Sequence, residues 1–305
     1  MAAAGLVLAA ALGVDRVFGD PPNRYHPVAL LGGLIGWWGE PRRWSPGTQK
    51  VAGVICGFGT ACLFALPFLL VDRFAPSLAA LLLGPFLLKI TFAWRALEEH
   101  ARTVETGVRE NIEGGRKAVG RMVSRDTKVL SRQEILSAAY ESVSENLVDS
   151  ITAPLLFFAI FAPLGLGLAA AAFYRASNTM DAMLGYRDHR GQIGWFPARM
   201  DDLLTWVPAR VTAFVLLAYF GIKGRLSPAL TTLRRDARKR PGLNGGVTMA
   251  IMAGGVGVRF EKPGVYTMGT GEKSLEEGSR EIIRAVRVTT LLLSGILVSA
   301  LFLLG

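Results

Sequence analysis

Apolar and polar residues fall along this chain in long blocks rather than in short periods. Val51–Val71 runs 21 residues without a charge, Ile151–Tyr174 runs 24 and Val288–Gly305 runs 18. An uncharged apolar stretch of about 18 residues or more is long enough to cross the hydrocarbon core as a helix. Ala75–Trp94 and Leu203–Ile222 qualify with one basic residue each, Lys89 and Arg210. Met1–Val14 is apolar but short, and no Lys or Arg precedes it, so it is expected to be a retained first helix rather than a signal peptide. The pattern predicts an all-α, polytopic integral membrane protein of about six apolar segments, with residues 1–305 forming one membrane domain.

Polar loops 15–50, 95–150, 175–202 and 223–287 separate the apolar segments. Half of the composition is hydrophobic (51%), which argues against an ordinary soluble domain. The net charge of +10 would raise nucleic acid as a partner for a soluble chain. Here topology accounts for it more economically. Loops 15–50, 95–150 and 223–287 hold 5, 9 and 13 Lys and Arg, against 1 and 4 in 72–74 and 175–202. The positive-inside rule then places the three rich loops in the cytoplasm, with the protein in the cell membrane, the lipid bilayer as its partner and no nucleic acid.

Within this frame, spans 51–71 and 75–94 are expected to form a helical hairpin. Loop 95–150 lacks proline and is expected to be helical with a break near Gly114-Gly115. The run 151–174 carries Pro163-Leu164-Gly165-Leu166-Gly167, which predicts a broken helix. Val28–Trp38 is too short to span, and Gly245–Val258 is too rich in glycine to promise a stable span. Cys56 and Cys62 are too few and too deep for a disulfide framework or a zinc site, and are expected to be packing residues.

Chemistry is suggested first by Glu141, Glu145 and Asp149, spaced i, i+4, i+8 on one helical face, with Asn146 beside them. Such a stripe suits a hard cation such as Mg²⁺, which takes oxygen ligands and bridges to phosphate. The competing reading is a solvated helix face. Pro154 is expected to end this helix. Arg125 offers a two-pronged clamp for phosphate or carboxylate, while on pattern alone a turn or N-cap built by Asp126 is the favoured reading. Asn178 and Asp181 share a face, and one of Asp201 and Asp202 is expected to cap span five. His26 sits in a Pro-bounded turn. The chain has no P-loop, no His-Glu-x-x-His and no Gly-x-Ser-x-Gly. Polar residues gathered at membrane-helix ends point to a functional site without naming the reaction. A transporter and a non-catalytic assembly subunit stay as alternatives to an enzyme.

An ordered set of motifs then gives a resemblance. Gly19-Asp20-Pro21, His26-Pro27-Val28, Val123-Ser124-Arg125-Asp126-Thr127 and Glu141-Ser142-Val143-Ser144-Glu145-Asn146 lead it. Ala153-Pro154-Leu155, Tyr174-Arg175-Ala176, Asn178-Thr179, Gly185-Tyr186-Arg187, Gly194-Trp195, Asp201-Asp202, Pro208-Ala209-Arg210 and Asp236-Ala237-Arg238-Lys239 follow. Over roughly residues 15–290 the chain resembles the adenosylcobinamide-phosphate synthase family, CobD or CbiB. The resemblance implies an ATP- and Mg²⁺-dependent amide ligase of cobalamin biosynthesis. It would join a carboxylate of adenosylcobyric acid to (R)-1-amino-2-propanol O-2-phosphate or a related amino-alcohol. It implies Glu141, Glu145, Asp149, Asp181 and Asp202 as metal ligands and Arg125, Arg187 and Arg199 as phosphate contacts. Asn146, Asn178 and Asn244 would orient corrin amides, and Asp126, Glu145 and His26 are the catalytic candidates. A homo-oligomer, or an association with other cobalamin-assembly enzymes, is left open. One segment departs from the family pattern: Leu243-Asn244-Gly245-Gly246-Val247 stands where the family has a sequence like Pro-Asn-Ala-Gly-Trp.

Overall fold

A computed structural model describes residues 2–186 and 188–304. Its regular secondary structure is helical apart from one β-hairpin among the described residues. Among the described residues, five helices are long and apolar enough to cross a membrane: Gln49–Phe74, Ser77–Glu110, Arg132–Leu164, Trp195–Ile222 and Leu275–Leu303. The N-terminal helix α1 (Ala2–Phe18) has 17 residues and falls short of that length. The chain is therefore a multi-pass helical membrane protein. It divides into two compact units, one of 1–93, 149–205 and 294–305, the other of 94–148 and 206–293.

In the first unit, α2 (Pro27–Trp38), α3 (Gln49–Phe74) and α9 (Gly167–Leu184) enclose a core of Leu31, Ile35, Trp38, Ala61, Met180 and Leu184. Helix α4 (Ser77–Thr91) packs mainly on α1 and α3 mainly on α9, so the expected hairpin of the second and third apolar runs is not the dominant pairing. Gly84 permits the α1–α4 approach, because a Cβ there would sit 3.1 Å from both methyls of Val7. Run 151–174 is indeed divided. Helix α8 (Ala153–Phe161) ends in a turn over Ala162–Leu164, Gly165 takes the left-handed conformation (φ 63°), and α9 then starts. Gly is suited to that conformation because it has no Cβ to clash.

In the second unit, α5 (Trp94–Glu110), α6 (Ile112–Val119) and α7 (Arg132–Leu147) form a helical layer. The break expected near Gly114-Gly115 falls at Asn111, whose side chain accepts the Gly114 N–H at 2.6 Å, and a second, longer break separates α6 from α7. The two glycines instead lie inside α6, where a Cβ on Gly115 would meet Val108 of α5 at 2.5 Å. Helix α7 opens with a capping box between Ser131 and Glu134. Most of its residues are buried, since α5, α6, α12 (Gly245–Val256) and the hairpin all pack on it. The hairpin pairs β1 (Arg259–Lys262) with β2 (Tyr266–Gly269), antiparallel, with Phe260 opposite Met268 and Lys262 opposite Tyr266. Phe260 and Met268 are fully buried, which sets the inward face.

Beyond α7 the helix does not stop at Pro154. A π-helical turn, Val148–Thr152, carries it into α8 with Pro154 in the first turn. That is where a residue lacking an N–H does least harm. Likewise α10 (Trp195–Ile222) begins before Asp201 and Asp202, so neither caps it.

Candidate functional site in the second unit

The buried polar face of α7 organises the second unit's site. Glu141 is only 2% exposed, so this stripe is not a solvated face. Three donors converge on its carboxylate: Arg125 Nη2 at 2.5 Å, Tyr266 Oη at 2.6 Å and Ser137 Oγ at 2.7 Å. The Ser137 hydroxyl also accepts the Glu261 backbone N–H at 2.6 Å, which ties β1 to α7. One turn on, Glu145 pairs with Arg240. Arg125 comes from the loop before α7 and Arg240 from the end of the segment after α11 (Leu226–Asp236). Sequence spacing along α7 shows neither partner.

Two further elements hold this arrangement. Asp236 binds Arg235 at 2.7 Å and Lys239 at 2.7 Å and accepts the Gly269 N–H at 2.9 Å, fastening α11 to β2. Burial works to raise its carboxyl, but these donors outweigh it and hold the group well below the usual range. Arg210 donates to Asn244 Oδ1 at 2.5 Å and to the Leu243 carbonyl at 3.2 Å, so Asn244 anchors the start of α12. The divergent Gly245-Gly246 pair follows. A Cβ on Gly246 would run into the Ala237 carbonyl oxygen, whereas one on Gly245 would meet Arg240 Cζ and Glu145 Oε1 at 2.8 Å.

The other described candidates have local partners. Asp126 is exposed and accepts the Lys128 N–H at 3.0 Å, a turn-forming role. Asn146 donates to the Ser142 carbonyl at 2.9 Å. Asp149 opens the π-helical turn, a feature often found at functional sites. In the first unit, Asn178 donates to Asp201 at 3.4 Å, Arg199 lies 3.7 Å from Asp202, and the Asp181 carbonyl accepts the Gly185 N–H at 2.7 Å. Arg187 lies outside the described residues. Among the described residues, no three His, Cys, Asp or Glu side chains gather as a metal site, so the five carboxylates named for Mg²⁺ form no preformed cage.

His26 is the N-cap of α2, its Nδ1 accepting the Val28 N–H at 3.2 Å. Its Nε2 is 3.9 Å from Asp20, which also pairs with Lys89. Burial favours a raised Asp20 carboxyl, but His26 and Lys89 prevail and hold it at about 2. Lys89, 4% exposed, also binds Asp15 at 3.1 Å and the Phe92 carbonyl at 3.0 Å. Sequence reasoning gave no role to Lys89, Asp15, Asp20, Arg240, Lys262 or Tyr266. For Lys89 the signal was present, as a lone charge inside an apolar run.

Comparison with known proteins agrees with these motifs. The sequence profile of the family described as CobD/Cbib protein matches residues 8–291. The chain is 38% identical to the probable cobalamin biosynthesis protein CobD of Methanothermobacter thermautotrophicus, covering 94% of this chain and 93% of the relative. The protein of the same description from Thermococcus kodakarensis is 38% identical, covering 97% of this chain and 94% of its own. That from Pyrococcus abyssi is 41% identical, covering 86% and 84%. No solved structure matches. On the profile match and these identities, the chain belongs to the CobD/Cbib family.

Proposed function

We propose that this chain is a cell-membrane amide ligase that joins adenosylcobyric acid to an amino-alcohol phosphate at the expense of ATP. Family membership supports the role in cobalamin biosynthesis. The observation that carries the reaction is the pairing of Glu141 and Glu145, one turn apart on a buried helix, with Arg125 and Arg240. Two guanidiniums at this place are suited to phosphate, because a planar fork of N–H donors matches its oxygens.

The chemistry needs such an arrangement. A carboxylate oxygen of the corrin attacks the γ-phosphorus of ATP, the bond to the bridging oxygen breaks and ADP departs. The amine of the amino-alcohol then adds to the activated carbonyl carbon. The carbon–oxygen bond to phosphate breaks, an amide forms, and the departing phosphate carries off the amine proton. Negative charge builds on phosphate oxygens in both steps, and Arg125 and Arg240 are the groups proposed to stabilise it. Magnesium would neutralise nucleotide phosphates. A site with one or two carboxylates fits an ion held mainly by phosphates, and Glu145, more exposed than Glu141, is the residue that would hold it. The basic loops support a cytoplasmic placement of this chemistry.

The test is mass spectrometry of the corrin after incubation of purified protein with adenosylcobyric acid, Mg-ATP and aminopropanol phosphate in detergent. An ATP-dependent mass gain equal to an amide-linked arm is expected. Absence of product from a folded sample that binds corrin would overturn the proposal.

A further inference from the structure

The inward face of the hairpin is apolar at one end and polar at the other. Phe260 and Met268 are fully buried, while Lys262 and Tyr266, the last cross-strand pair, continue the same face. Tyr266 reaches Glu141 at 2.6 Å, so this end of the hairpin lies against the acidic turn of α7. Lys262 is thereby directed at a region already holding Arg125 and Arg240. Lys262 lies within electrostatic reach of Arg125, Arg240, Glu141 and Glu145, and Arg125 also acts on Glu134. Arg125 Nη1 is buried and has no hydrogen-bond partner among the described residues. An unsatisfied guanidinium nitrogen inside a folded unit is costly, on the order of 1–3 kcal/mol, and calls for an acceptor.

We propose that Arg125, Arg240, Lys262 and Tyr266 form a binding site for a phosphate monoester, with the Lys262–Tyr266 end of the hairpin as its wall. The ligand chemistry follows from the donor set: two guanidiniums and an ammonium beside the Tyr266 phenol, with the Arg125 Nη1 donor unused. Burial, then the nearby Arg125, lowers the affinity of Lys262 for its proton, and Glu141 only partly restores it. A bound phosphate would reverse that. Identifying the ester as the γ-phosphate of a nucleotide or as the amino-alcohol phosphate rests on the ligase reading; anion binding itself does not.

The experiment uses full-length protein in detergent and isothermal titration calorimetry with three probes: inorganic phosphate, ATP without metal, and aminopropanol phosphate. Lys262→Gln is compared with Arg259→Gln, which removes a charge from the exposed outer face of the same strand. Lys262→Gln is expected to weaken at least one probe by about tenfold or more, as loss of a charge-assisted contact implies. Arg259→Gln is expected to stay within about twofold, since an exposed pair contributes little. The ester that loses affinity is the ligand, and a loss with inorganic phosphate alone assigns the site to free phosphate. Tyr266→Phe, which keeps the ring, is expected to weaken the same probe by a smaller factor. Equal losses in the two charge variants, or no binding by the unaltered protein, would overturn the proposal. Lys262-dependent binding without amide product would sink the ligase reading alone, and product formation indifferent to Lys262→Gln would sink this site alone.

Discussion

Two polar clusters in this protein handle buried charge differently. In the first unit, Lys89 is surrounded by Asp15, Asp20 and the Phe92 carbonyl, and both Lys89 (4% exposed) and Asp15 (0%) are sealed from solvent. In the second, Glu141 is equally deep, yet Lys262 is partly open and Arg125 keeps an unused donor. A cluster whose donors are consumed by its own carboxylates holds helices together. One that leaves donor capacity facing partly open side chains is prepared for a ligand. The two demand different responses to substitution: the first should answer in stability, the second in activity.

The largest effect is expected at Glu145. Glu145→Gln removes the charge opposite Arg240, and amide formation should fall by about a hundredfold or more, in the range seen when transition-state electrostatics are removed. Next comes the first unit. Lys89→Met leaves the buried Asp15 without its ammonium and should cost about 3–5 kcal/mol, read as a fall in thermal midpoint. Replacing Asp15 by Asn at the same time should recover part of that loss; no recovery would show that the pair is not the source. A third contrast lies within the divergent segment. Gly246→Ala forces a methyl into the Ala237 carbonyl and should destabilise the second unit by about 1–3 kcal/mol. Gly245→Ala meets only the mobile ends of Arg240 and Glu145 and should leave the melting temperature nearly unchanged while shifting activity. The smallest effect is expected at Asp126. Asp126→Ala loses a turn hydrogen bond and should cost about 1 kcal/mol or less, with turnover kept within a few-fold. A complete loss of turnover in a stable Asp126→Ala protein would return that residue to the chemistry.

Much of the fold was legible because membrane spans announce themselves by uninterrupted apolar length. Val51–Val71 and Leu203–Ile222 lie inside α3 and α10. The break in 151–174 was legible too, since Pro163 and Gly165 state it locally. Helix boundaries were harder. Pro154 and Asp201-Asp202 look like end signals, yet a π-helical turn absorbs the first, and α10 starts nearly two turns before the others. The site was half legible. Glu141 and Glu145 share a face by periodicity alone, whereas Arg240, Lys262 and Tyr266 reach them from positions about 100 or more residues away in sequence, which only the folded unit brings together. The hairpin went unread because two four-residue strands flanking Pro263-Gly264 are too short to show a period.

On the reaction proposed above, the paired carboxylates and arginines of the second unit carry amide ligation. The most direct measurement is the yield of amide-linked corrin from Glu145→Gln beside the unaltered protein, in samples matched for melting temperature and corrin binding. ATP-dependent product is expected from the unaltered protein and almost none from the variant. Equal product from both would contradict the proposal.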